Sequence, residues 1–306
     1  EEIARCCATT AVIFEVHNTL HSETVARFGT EDQKRRYLPD LASGKKLGAF
    51  CLTEPEAGSD AGGLKSTAVL KGDRYILDGQ KCFITNGGVA DLYLVFALTD
   101  REKGTRGITC FIVEKGTKGL TFGKPEDKMG IKGSATTDVF LDGVEVPVEN
   151  RLGQEGEGFK IALSALDAGR LGIGAQALGI AQAAYEASVA HAKSRVQFGK
   201  PIAQLQAIQW MIADMATDIE AARLLLYRAA ELYHQPGRHS AEIAMAKLKC
   251  AETAMRHTTK AVQIHGGYGY MREYGVERLM RDAKITEIYE GTSEIMRLII
   301  ASTVLR

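Results

Sequence analysis

The hydrophobic period of this chain changes twice. Residues 1–46 carry apolar side chains at helical spacing, with Ile3, Cys6, Cys7, Val12, Ile13 and Phe14 in one run. From about Leu47 to Leu152 the period is two, in short β-rich runs at 66–70, 75–77, 108–113, 120–122 and 139–146. Lys71-Gly72-Asp73, Asp78-Gly79, Lys103-Gly104 and Asp142-Gly143 punctuate these runs and read as turns. After Gly153 to Gly158 the helical period returns over 159–195, 202–234, 241–265 and from Ser293 onward. Each period suits one kind of element only, so an α+β multidomain chain is expected. Its parts are a helical N-terminal segment (1–46), a middle antiparallel β barrel or sandwich (47–152) and a C-terminal four-helix bundle (153–306).

Local signals sharpen the boundaries. Gly29-Thr30-Glu31-Asp32-Gln33 stops one helix and caps the next. Gly169, Gly172, Gly174 and Gly179 leave one helix face bare for close approach. The chain opens in mid-pattern, and its first helix is too apolar to stand without partners, so further N-terminal helices are expected to precede it.

Composition narrows the function. With 45% hydrophobic residues the chain can bury a sizeable core, and 38 basic against 38 acidic residues leave no global field for nucleic acid or an anionic membrane. Small molecules and protein surfaces are the expected partners. No apolar run approaches the ~20 residues of a membrane span. The six cysteines show no C-x-x-C pair and the seven histidines no H-E-x-x-H, so buried thiols in a reducing, intracellular setting are expected, with no disulfide framework and no metal.

Three stretches could carry chemistry. In Ile288-Tyr289-Glu290-Gly291-Thr292-Ser293-Glu294-Ile295 a carboxylate is wedged between an aromatic and a glycine. Shielding by Tyr289 would raise its basicity toward that of a general base, and Thr292 or Ser293 would cap the following helix. On this stretch alone, Glu290 reads equally as an acid beside a helix N-terminus. Phe50 to Gly62 is a loop punctuated by glycine and serine, able to bring N–H groups against phosphate or ring carbonyl oxygens, or simply to lie at the surface. Gln80 to Gly88 offers a strand with an aromatic and a hydroxyl before a tight glycine turn.

Taken in order, TEPEAGSD, KCFITNGG, SALDAGRLGIGAQALGIAQ, RVQFGKPIAQLQAIQ, QIHGGYGY and IYEGTSEI resemble the acyl-CoA dehydrogenases, most closely the short-chain (butyryl-CoA) branch. The resemblance covers essentially the whole chain, lacks the family's first helices, and departs at Glu56, where a small residue is usual. It implies FAD as cofactor and oxidation of an acyl-CoA to the trans-2-enoyl-CoA. By that likeness Phe50, Leu52, Thr53, Gly58 and Ser59 face the flavin and its pyrophosphate, and Phe83, Ile84 and Thr85 lie along the isoalloxazine. Arg195, Gln206, Gln263, Gly266 and Gly267 reach the FAD of a neighbouring subunit, and Thr292, Ser293 and Glu294 complete the site. Ser59, Asp167, Arg170 and Gly291 face the substrate, Arg170 as the charged contact on the CoA side. The base comes from one of two slots in the family. Glu290 fills one; the other, used by isovaleryl-type relatives, is Gly169 here. The likeness further implies a homotetramer, an electron-transfer flavoprotein as acceptor, and either the bacterial cytoplasm or the mitochondrial matrix. An oxidase or a non-catalytic assembly factor are the alternatives on the same fold.

Overall fold

The structure, a computed structural model, describes residues 1–305. Four short helices open the chain: α1 (Glu2–Cys6), α2 (Ala8–Glu15), α3 (Glu23–Phe28) and α4 (Glu31–Ala42). Between α2 and α3, Val16–Ser22 widens into a π-helix that buries Val16, His17, Leu20 and His21. α4 begins where the sequence places a cap. Gln33 N donates to Thr30 Oγ1 at 3.2 Å and Thr30 N to Gln33 Oε1 at 2.9 Å, a closed capping box. The Gln33 amide then donates to the carbonyls of Glu149 and Arg151 at 2.8 and 2.9 Å, anchoring α4 to the segment that ends the sheet.

Eight strands follow: β1 (Gly48–Cys51), β2 (Thr67–Lys71), β3 (Arg74–Thr85), β4 (Leu92–Leu98), β5 (Ile108–Glu114), β6 (Leu120–Phe122), β7 (Thr136–Pro147) and β8 (Arg151–Leu152). They form one sheet in the order β6-β7-β3-β2-β4-β5-β8, with β1 added on β4. Most pairs are antiparallel, as expected. β4 pairs in parallel with β1 and, at one residue pair, with β2, which the long connections on the way to β4 permit. Tyr93, Val95 and Ala97 of β4 meet Phe111 of β5, Leu77 and Ile84 of β3 and Val139 and Val144 of β7 in the core. Each large apolar side chain buried there contributes roughly 1.5–3 kcal/mol.

Two expected turns are not turns. Asp78-Gly79 and Asp142-Gly143 lie inside β3 and β7, and the register slips where they meet, from Leu77 opposite Val144 to Gly79 opposite Leu141. Asp78 Oδ1 accepts from Gly143 N at 2.8 Å, so the surplus residues bond to each other and form a bulge. An Asp-Gly pair suits both situations because each needs a residue tolerant of unusual φ. Lys71-Gly72-Asp73 does turn: Lys71 pairs with Arg74 across a two-residue loop, with Gly72 at φ +64°.

The remaining chain is helical: α5 (Gly158–Ser194), α6 (Gln206–Tyr233), α7 (Ser240–His265), α8 (Val276–Lys284) and α9 (Ser293–Val304). A short hairpin of β9 (Val196–Gln197) and β10 (Lys200–Pro201) separates α5 from α6. α8 is an addition to the expected four long helices, hidden by its charge: Val276, Leu279 and Ala283 are buried among arginines and acids. The bare face of α5 is used as expected at two positions. A Cβ on Gly174 would stand 2.9 Å from Leu226 Cδ1, and one on Gly179 only 2.3 Å from the Glu1 carbonyl oxygen.

The chain divides into two compact units, one of Ile13–Asp127 with Gly133–Gly169, the other of Glu1–Val12, Lys128–Lys132 and the residues from Arg170 onward. Cys51, Cys82, Cys110 and Cys250 are buried thiols, whereas Cys6 and Cys7 are exposed. The expectation of burial fails for that pair: only Ala4 of the five-residue α1 turns inward, and Cys7 is the extended residue that ends it.

Candidate active site

Within the helical unit, the turn between α8 and α9 carries Glu290. Its backbone is unusual: Glu290 has φ +54° and Gly291 φ +103°. A left-handed glutamate costs about 1–2 kcal/mol, and such residues persist only where the surroundings over-determine them. Here the surroundings are two cations. Arg170 of α5, 5% exposed, donates from Nε to the Glu290 carbonyl at 3.2 Å. Lys247 of α7, 0% exposed, donates from Nζ to the Gly291 carbonyl at 2.7 Å. Tyr289 donates its hydroxyl to Gln176 Oε1, and Gln176 in turn donates to the Ala8 carbonyl at 2.9 Å. Thr292 caps α9, its Oγ1 accepting from Ile295 N at 3.2 Å. Both carboxylate oxygens of Glu290 are shielded from solvent. Burial pushes the Lys247 ammonium down to about 8, against the opposing pull of the Glu290 charge. Glu294 sits in the first turn of α9, where its own N–H and then Thr292 hold its carboxyl below the usual range.

Within the β unit, β1 runs into the loop that the sequence marks out. Glu54 closes this loop on itself by paired backbone bonds with Ala57, both 3.1 Å. Its carboxylate then accepts from Lys65 N at 2.5 Å, Ser66 N at 3.1 Å and Lys81 Nζ at 2.6 Å. Gly58 and Ser59 are left exposed at the loop's outer bend, and a Cβ on Gly58 would meet nothing within 4 Å. Phe50 and Leu52 are buried, Phe50 tilted against Phe96 with centroids 4.9 Å apart. On β3 the register slips again between Lys81 and Ile84, which turns Phe83 outward with φ +58° and 68% exposure. Ile84 turns the other way and joins the sheet core. Of the three residues expected along the isoalloxazine, the bulge thus turns Phe83 and the half-buried Thr85 away from the core that the Ile84 side chain joins.

Other expected site residues lie elsewhere in the helical unit. The Arg195 guanidinium lies 5.1 Å over the Tyr268 ring. Gln206, Gln263, Gly266 and Gly267 face solvent, and a Cβ on either glycine would meet open space. Ser293 is buried; Asp167, which belongs to the β unit, is half-buried. Arg170, expected as the charged contact to CoA, donates to the Glu290 carbonyl.

Two residues escaped the sequence reading. Phe198, at φ +52° and 89% exposed, fills the two-residue turn of the β9–β10 hairpin with Gly199 at φ +76°. A phenyl ring in that position is paired with a glycine as type I′ turns require, which is the signal that could have found it. Lys247 gave no signal, because its partner is a backbone carbonyl distant in sequence.

These features fit FAD. Phe83 and Phe198 each hold an exposed ring on a strained backbone, a cost that a flat aromatic partner would offset. Gly58, Gly266 and Gly267 leave room for a ligand to approach the backbone. Among the described residues no group of His, Cys, Asp and Glu could hold a metal, and no helix is long and apolar enough to cross a membrane.

Comparison with known proteins gives the same answer. Three consecutive domains of one family match: acyl-CoA dehydrogenase N-terminal domain over 1–45, middle domain over 49–144 and C-terminal domain over 156–305. The short-chain specific acyl-CoA dehydrogenase of Clostridium acetobutylicum is 52% identical over all of this chain and 81% of its own length. The structure of butyryl-CoA dehydrogenase from Megasphaera elsdenii superposes with a TM-score of 0.98 at 51% identity, covering 100% of this chain and 80% of that one. A chain in a structure of the electron-transferring flavoprotein of Acidaminococcus fermentans gives 0.96 at 53%, covering 97% and 78%. The chain belongs to the acyl-CoA dehydrogenase family and is an FAD-dependent oxidoreductase of acyl-CoA thioesters.

Proposed function

We propose that the protein oxidises short-chain acyl-CoA thioesters to trans-2-enoyl-CoA with Glu290 as the base. The observation that carries this reading is the shielded Glu290 carboxylate on a backbone turn held by Arg170 and Lys247. Glu290 takes the α proton as the β hydrogen departs with its electron pair, leaving the C=C bond. FAD, when bound, supplies the acceptor for that hydride. The α proton of a thioester is a weak acid, so its carbonyl must be polarised in the transition state. The Glu290 backbone N–H, next to the base, is the protein's donor for that oxygen, a contribution of several kcal/mol where water is excluded. Thr53, Ser59, Phe83 and Thr85 hold the flavin, with Arg195, Gln206 and the Gln263 to Gly267 turn acting on a neighbouring subunit's cofactor. Exposed Trp210, Leu224 and Tyr227 on α6 support a homotetramer, and the likeness to a chain of the flavoprotein structure supports an electron-transfer flavoprotein as acceptor.

Anaerobic mixing of the FAD-loaded enzyme with butyryl-, hexanoyl- and octanoyl-CoA tests the reading. Butyryl-CoA is expected to bleach the flavin fastest, with slow recovery in air and rapid recovery on adding electron-transfer flavoprotein. No bleaching by any thioester would refute it, fastest bleaching by octanoyl-CoA would refute the short-chain preference, and rapid recovery in air would identify an oxidase. Sedimentation as a flavin-loaded monomer would exclude the tetramer.

A further inference from the structure

Lys247 is a lysine with no exposed surface on a helix whose nearest inward residues are apolar, Ile243, Ala244, Ala246, Cys250 and Ala251. Burying an ammonium is costly unless the charge is paired or hydrogen-bonded. Its ammonium bonds to the Gly291 carbonyl at 2.7 Å, one residue beyond Glu290, while Arg170 holds the Glu290 carbonyl at 3.2 Å. Two consecutive carbonyls of a turn with positive φ at both residues are thus gripped by cations from two different helices. We propose that Lys247 is a positioning residue of the reaction: it fixes the turn that aims Glu290 and sets a buried positive charge beside that carboxylate.

The inference rests on Glu290 being the base. The charges acting on Lys247 come from every side: Glu290 on the turn, Arg170 on α5, Glu287 before the turn and Glu294 on α9. Of these, Glu294 is exposed and so screened, whereas the Glu290 oxygens are shielded. A carboxylate removed from water stays ionised only with a cation nearby. Removing the Lys247 charge should therefore raise the pH at which Glu290 ionises, and removing its donor should let the turn drift.

The test uses the FAD-loaded enzyme and three substitutions, Lys247→Met, Lys247→Gln and Lys247→Arg. Three quantities are read: single-turnover flavin reduction by butyryl-CoA across pH, thermal unfolding, and deuterium exchange at the α carbon of acetyl-CoA. Acetyl-CoA has no β carbon, so its exchange reports proton abstraction without hydride transfer. Lys247→Met is expected to retain FAD, to slow both exchange and reduction at pH 7 by about 100-fold, and to move the acid limb of both profiles up by about one pH unit or more. Lys247→Arg, which keeps the charge, should hold the acid limb near that of the wild type. If Lys247→Met does not fold, Lys247→Gln carries the same expected shift. An acid limb unmoved in the uncharged variants, with loss confined to thermal stability, would overturn the inference. Glu290→Gln separates the two readings. If it is inactive while Lys247→Met behaves as wild type, only the role of Lys247 falls; if Glu290→Gln exchanges and reduces normally, the base assignment falls and this inference with it.

Discussion

The ammonium of Lys81 lies 2.6 Å from Oε1 of Glu54, with the lysine side chain at 0% and the glutamate at 6% exposure. The pair ties β3 to the loop that follows β1, since Glu54 also receives Lys65 N and Ser66 N, and Lys81 also donates to the Phe96 carbonyl at 2.6 Å. Burial works against an ionised Glu54, but Lys81 and the Ser66 and Lys65 donors outweigh it and hold its carboxyl below the usual range.

Lys81→Met should therefore be far more harmful than its surface area suggests. It strands a buried carboxylate, at a cost of about 3–5 kcal/mol, whereas Lys81→Met with Glu54→Gln should recover much of that loss. Urea unfolding of the two variants and a double-mutant cycle measure the difference. Equal stability of single and double variants would show that the pair is not coupled.

His21 predicts how the fold responds to acid. Burial lowers its pKa to about 3, with the nearby His17 adding to the effect, and its ring packs so closely on the chain that a Cβ at Gly48 would stand 2.2 Å from His21 Cγ. An unfolded histidine binds a proton near pH 6.5, so the unfolded state binds more protons between pH 6.5 and about 3. Stability is fully present above pH 6.5 and falls as pH drops through that window, by about 2 kcal/mol at pH 5 from this residue alone. His21→Phe, which places no ionisable group there, should flatten the difference in unfolding free energy between pH 7 and pH 5 by that amount.

The sequence revealed the parts of this architecture that rest on local pattern. α5, α6 and α7 each bury one face for many turns, and Thr30 with Gln33 states its own cap, so both are visible from residue order. β4 is not visible in that way: Leu92 to Ala97 are all buried, and a strand covered on both faces does not alternate. Of the site, Glu290, Gly291 and Thr292 sit in one short motif. Lys81 and Lys247 could not be placed, because a lone lysine reads as a solvated side chain until the fold supplies Glu54 from across the sheet or the Gly291 carbonyl from another helix. Asp78-Gly79 misled for a related reason. Its hairpin signal is local, whereas the bulge depends on Asp142-Gly143 arriving opposite.

That bulge is sensitive to a single methyl group. A Cβ on Gly79 would lie 2.1 Å from Ser66 Oγ, and φ there is +150°, beyond the easy range of an L side chain. Gly79→Ala should destabilise the β unit by about 1–3 kcal/mol. Adding Ser66→Gly removes the clash but not the φ, so it should recover only part of the loss in chemical denaturation.

The turn at Glu290 sets stability against activity. A residue that tolerates the left-handed region should relieve the strain at φ +54°, and asparagine is such a residue. Glu290→Asn and Glu290→Gln both remove the carboxylate beside Lys247, so the loss of charge is common to them and their difference isolates the backbone. Flavin reduction by butyryl-CoA should fall by several orders of magnitude in each, as neither amide is a base. Glu290→Asn should nonetheless be more stable than Glu290→Gln by about 0.5–1.5 kcal/mol, read as a higher unfolding midpoint. Equal midpoints would mean that the grip of Arg170 and Lys247, rather than the residue they hold, determines the energy of this turn.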